Sequence, residues 1–148
     1  MSPSGTTADT ERVIRRVRKL LALRDSPNVH EAAAAAEQAQ ALISKHRLER
    51  LLAEPDHNPL DRMQQRVLNS SRRLRRWTTV LAAELAAVND CVSFVRKNPD
   101  RTKDLVVVGE PEDLLAFETL WAWLVPVMTW LSASDGGGTG KKLSLIHI

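Results

Sequence analysis

The chain carries a single cysteine, Cys91, among 148 residues. One thiol cannot build a disulfide framework, so a reducing, cytoplasmic setting is the expected one. The amino-terminal segment MSPSGTTADTE lacks the basic stretch and apolar run of a secretory signal. The longest uncharged run, Thr119 to Ser134, falls short of the roughly 20 residues that a membrane span needs, so it reads as a core helix and no membrane partner is expected. Internal repeats are missing, as are helix-turn-helix, zinc-finger and RNA-binding signatures. His30, His46 and His57 have no ligand pair beside them, whereas zinc takes three or four ligands. No metal, cofactor or catalytic residue is therefore assigned.

Charge of one sign is absent from whole segments. Residues 62–76 hold six Arg and no acid, and residues 104–118 hold five acids and no base. Residues 11–24 hold six bases against one acid. The formal net charge is only +3, so it is this polarity, a basic side and an acidic side, that can steer an anionic partner.

The first helix is expected from Asp9 or Thr10 to Arg24. Val13, Ile14, Val17, Leu20 and Leu21 share one arc, and Arg12, Arg15, Arg16, Arg18 and Lys19 lie opposite. Asp25-Ser26-Pro27 stops it, since proline disfavours helical geometry in the preceding residue. Asn28 is placed to cap a second helix, with Glu31 as its capping-box partner. That helix is rich in alanine, which favours helix and lets backbones approach. The short turn predicts an antiparallel hairpin. Pro55 and Pro59 mark a linker over 55–70, although 61–70 reads equally as a helical turn or a short strand.

From Ser71 the helical period returns through Leu74, Trp77, Leu81, Leu85 and Val88, with Arg72, Arg75 and Arg76 turned away. Two β-prone runs follow, 91–95 and 104–108, joined by the turn Lys97-Asn98-Pro99-Asp100, and they predict a β-hairpin. Gly109 ends the second run. Pro111 opens a last helix to about Leu131, with Glu110, Glu112 and Asp113 complementing its positive end and Pro126 set to kink it.

Candidate chemistry thins out on inspection. Gly136 to Lys142 imitates a phosphate-binding loop, but Asp135 stands where the first glycine belongs and Lys142 where Ser or Thr should be. A flexible tail over 136–148 is the better reading. Cys91 reads as a small buried hydrophobe, His46 as a cation closing the second helix, and Trp121, Trp123 and Trp130 as core. The acidic start of the last helix would repel phosphate. The positive signal is a pair of basic faces, Arg12, Arg15, Arg16 and Lys19, then Arg72, Arg73, Arg75 and Arg76, suited to phosphate-backbone contact.

Val17, Lys19, Leu20, Leu21, Ala22, Leu23, Ser26, Pro27, Asn28, Glu31, Ala32, Lys45, His46 and Leu48 follow the pattern of the bacterial and phage domain of unknown function 2786, which they resemble. Arg47 departs from it, standing where family members often have Gly. Losing that helix-ending glycine predicts that the second helix runs on through Leu51 and Leu52. Trp77, Cys91 and the Val108-Gly109-Glu110 stretch look like the uncharacterised domain that often follows, here truncated. The closing Leu143 to Ile148 reads as a translated sequencing adapter, which implies that the authentic chain continues past Lys142. The resemblance implies an actinobacterial or phage setting and carries no activity.

The expected fold class is α+β. A helical hairpin occupies 9–54, a linker 55–70, and a helix–β-hairpin–helix unit 71–135, with the tail beyond. The expected function is non-enzymatic binding of a DNA or RNA phosphate backbone. The alternatives are an adaptor meeting an acidic protein partner, or a fragment of an enzyme whose catalytic residues lie partly beyond Lys142.

Overall fold

The computed structural model describes residues 3–22, 29–54 and 58–134. Leu23 to Asn28, Pro55 to His57, and everything from Asp135 onward lie outside the described residues. The expected turn, the Asn28 cap, the glycine-rich tail and the adapter-like end fall there.

Two helices, α1 (Pro3–Ala22) and α2 (Val29–Ala53), form the expected hairpin. A short 3-10 turn (Pro59–Arg62) leads to strand β1 (Gln64–Ser71), followed by α3 (Arg76–Val88), β2 (Val92–Lys97), β3 (Lys103–Gly109) and α4 (Pro111–Ser134). The class is α+β, with one antiparallel sheet in the order β1-β3-β2. β2 and β3 make the predicted hairpin, in register from Val92 opposite Val108 to Lys97 opposite Lys103.

The structure differs from the sequence reading in three places. Residues 64–70, expected as linker, belong to β1, which pairs with β3 along its length and carries an irregularity between Val67 and Asn69. Leu68, the extra residue there, packs against the core. α1 begins at Pro3, ahead of the expected start at Asp9 or Thr10. α3 begins at Arg76, so Arg72 and Arg73 precede the helix instead of lining it. As Arg47 implied, α2 runs on past Leu52, to Ala53.

A single buried cluster joins the hairpin to the rest. Ile14, Val17 and Leu21 of α1 and Ala35, Ala39 and Ile43 of α2 belong to it, together with Leu105, Val107, Leu114, Phe117 and Leu120. Alanine at 35 and 39 is completely buried, and its small side chain lets α1 and α2 approach closely. β3 is the central strand. Leu105 and Val107 face the helices, while Val106 faces the other way between its cross-strand partners Val67 and Phe94. By length and composition alone, α4 could cross a membrane. Its first half instead fills the core, with Leu114, Ala116, Phe117 and Leu120 buried and Phe117 stacked on Trp121 at 5.7 Å.

α3 ends at Val88, the last residue of the helical period. Asn89 is buried, and its side-chain amide donates to the Leu85 carbonyl and exchanges hydrogen bonds with Gln40 of α2. Asp90 takes a positive φ of 56° and the Cys91 amide returns to the Ala86 carbonyl, closing the helix. Cys91 follows and is buried against Gly109, where a β-carbon would lie 2.6 Å from its sulfur. Gly109→Ala should therefore cost about 1–3 kcal/mol in urea denaturation, as overpacking does. Cys91→Ala in the same chain should recover most of that loss; no recovery would mean that the backbone, and not the sulfur, requires glycine.

Candidate nucleic-acid interface and a buried ionic cluster

The arginines divide into two populations. The first is outward. Residues 12, 15, 16 and 19 follow the three- and four-residue spacing that places side chains on one helix face. All four are exposed, opposite the buried Thr10, Ile14, Val17 and Leu21. Arg12 pairs with Asp9 one turn earlier at 3.3 Å, both largely in solvent, where such a pair contributes little. Among the described residues, Arg15, Arg16 and Lys19 have no ion-pair partner.

Arg72, Arg73, Arg75 and Arg76 form the second outward group, also exposed and outside the described ion pairs. The Ser71 hydroxyl holds the bend that carries them, donating to the Arg73 carbonyl at 3.0 Å and accepting from the Arg73 amide at 3.2 Å. Arg75 occupies the N-cap of α3 without a side-chain cap, and the first turn holds no acid. Helix starts that carry neither suit an anion. The two groups sit on different elements. α1 packs on α2 and α4, whereas α3 packs on β2, β3 and α4.

The inward population was missed as such from sequence. Glu112 and Asp113, read as partners of the helix dipole, are 4% and 3% exposed. Arg62 donates to Glu112 Oε1 at 2.9 Å, and Arg50 donates to Asp113 Oδ1 at 2.9 Å. Arg47 donates to Asp90 Oδ2, and its Nε lies 3.3 Å from Asp113 Oδ1 without hydrogen-bond geometry. Arg66 of β1 approaches Glu118 at 3.8 Å, but both side chains are 44% exposed, so this pair lies at the surface and contributes little. α2 and the turn before β1 thus deliver guanidiniums to the start of α4. The cost of desolvation is visible at Asp113, whose pKa is raised by burial even though Arg50 and Arg47 act to lower it.

His46 stands beside this cluster and does not close α2, which continues to Ala53. Its Nε2 lies 2.8 Å from the Thr10 hydroxyl, which ties α1 to α2. Burial, then the charge of Arg50, lower its pKa, so the imidazole is neutral at pH 7 and is not the dipole-compensating cation expected. Elsewhere, Asp104 accepts from Ser70 (2.6 Å), Arg96 (2.8 Å) and Asn98 (2.9 Å), which holds its pKa down to about 2 and fastens the three strands at their turn end. Burial pushes the Cys91 thiol up to about 12, which keeps it protonated and a poor nucleophile. Trp121 and Trp123 pack against the core, while Trp130 is 48% exposed. Among the described residues no three His, Cys, Asp or Glu side chains gather as a metal site.

Residues 12–50 match the model of a family described as a protein of unknown function (DUF2786). No curated protein matches the chain, and no solved structure does. The DUF2786 segment includes the basic face of α1 together with Arg47 and Arg50 of the inward cluster, and stops short of Arg62 and of Arg72 to Arg76. Its described part is therefore docked, through Arg47 and Arg50, onto a helix outside the matched region.

Two outcomes check this arrangement. Asp113→Ala leaves two guanidiniums without their buried partner and should cost about 3–5 kcal/mol in chemical denaturation, whereas Arg50→Met with Asp113→Leu should lose much less. If the single and double variants are equally destabilised, packing and not charge pairing holds the junction. For His46 the fold favours the neutral form, so the unfolded chain takes up its proton first. Stability should then fall as pH drops below 6.5 towards the lowered folded value. His46→Gln should show a smaller drop in Tm than the parent between about pH 7.5 and pH 5.5; an unchanged drop would assign the effect to carboxylates.

Proposed function

We propose that the chain binds nucleic acid without sequence preference, in the cytoplasm, through the phosphate contacts of Arg12, Arg15, Arg16 and Lys19 and of Arg72, Arg73, Arg75 and Arg76. The observation that carries this reading is the division of the arginines. Those at 47, 50, 62, 66 and 96 pair with carboxylates of the fold. Those at 15, 16, 72, 73, 75 and 76 are exposed and outside the described ion pairs. Cations that a fold does not use internally remain available to phosphates. The same charges could meet an acidic protein, and the DUF2786 match adds no activity to choose between the two. What favours nucleic acid is the uncapped start of α3 beneath four arginines, because free backbone N–H groups suit phosphate oxygens.

A gel-shift titration on duplex DNA and on single-stranded RNA across a salt series tests the proposal. Binding should weaken steeply with salt, each phosphate contact on a duplex adding about 0.9 to the log–log slope. Replacing Arg15, Arg16, Arg72 and Arg73 with Gln should flatten that slope by roughly three to four. No binding of either nucleic acid even at low salt would overturn it.

A further inference from the structure

A groove of about 490 Å³ lies between α2, α3 and α4, away from the arginine clusters. Its floor is apolar, with Leu81 and Leu85 from α3 and Leu120 and Met128 from α4. One wall is alanine, Ala33 and Ala36 of α2, where side chains of one carbon leave the space between the helices open. Ala33 is exposed, as is Val88 on the opposite wall. This volume is within the range of ligand-binding clefts, about 300–1,000 Å³.

The charge lining the groove has one sign. Two carboxylates, Glu37 and Glu84, lie on its rim, both exposed. Among the described residues no Lys or Arg lines it, in a chain where bases outnumber acids 21 to 18. His30 is the one further ionisable group among the described residues there. The groove therefore has the opposite character to the basic faces and would repel the partner that those faces attract.

We infer that this groove docks an amphipathic helix of a partner protein, with an apolar stripe seated on Leu81, Leu85 and Met128 and flanking Lys or Arg side chains meeting Glu37 and Glu84. The helical walls favour a helix as guest, because side-chain ridges of one helix seat in the grooves between others. Charge complementarity gives its sign and its register.

The test uses the full chain and two fluorescein-labelled amphipathic peptides of about 14 residues, one of Leu and Lys, the other of Leu and Glu. Anisotropy titration should show binding of the Leu-Lys peptide, weakened by salt, and much weaker binding of the Leu-Glu peptide. Ala33→Trp, which fills the open wall, should weaken the Leu-Lys complex by about tenfold or more. Glu37→Lys with Glu84→Lys should weaken it further and improve the Leu-Glu peptide. Amide shifts on the unaltered chain should concentrate at Ala33, Ala36, Leu81 and Met128, which gives a second readout should a variant fail to fold. Indifference to Ala33→Trp, shifts elsewhere, or equal affinity for both peptides would overturn the inference. So would self-association in sedimentation velocity that Ala33→Trp abolishes, since the occupant would then be a second copy, or displacement of the Leu-Lys peptide by a fatty acid that binds with no dependence on Glu37 and Glu84.

Discussion

Glu112 and Asp113 are carboxylates taken out of water at the start of the helix against which α1, α2, α3 and β3 pack. Burying two like charges side by side is tolerable only if countercharge arrives with good geometry, and three arginines from two separate parts of the chain supply it. Arg47 and Arg50 come from α2, and Arg62 comes from the turn before β1. The topology follows from this requirement. The helical hairpin cannot swing free as a separate module, because its second helix ends against α4. The chain between α2 and β1 must pass the same point so that Arg62 can reach Glu112. Among the described residues, one Asp113 oxygen and one Glu112 oxygen have no hydrogen-bond partner, so charge attraction, with the helix dipole, carries more of the balance than hydrogen bonding does.

That requirement also sets what could be read from the residues in order. α1 was legible because its apolar stripe and basic face alternate at helical period, and burial follows the stripe at Ile14, Val17 and Leu21. The β2–β3 hairpin was legible because a polar turn separates two β-prone runs. β1 was not, since Gln64 to Ser71 holds two apolar residues in eight and its strand character comes from pairing with β3. Arg47, Arg50 and Arg62 were visible as charges but not as partners of α4. Contacts across 50 and 63 residues, as at Arg62–Glu112 and Arg50–Asp113, leave no periodicity to detect. The departure from glycine at Arg47 was the one available hint, and it pointed to helix length instead of to Asp90. The outward arginines were legible as a cluster, but their division between α1 and the approach to α3 depended on where α3 begins.

The alanines of α2 show how one helix can meet opposite demands. On one side Ala35 and Ala39 are completely buried, and any larger side chain would push α1 away and open the core. On another side Ala33 and Ala36 leave a space that Leu or Met would have filled. Propensity accounts for neither placement, because alanine suits a helix at every position equally. Close approach explains the first pair. The second pair sits beside exposed Val88, where longer apolar side chains on α2 would have covered α3 and stabilised the free chain. A sequence that leaves this burial unmade keeps an apolar surface with carboxylates on its rim, while the exposed arginines of α1 and of residues 72–76 lie outside its lining. Charge is thereby sorted into three uses along one chain: paired inside to fix the fold, basic on the outside of α1 and before α3, and acidic around the groove.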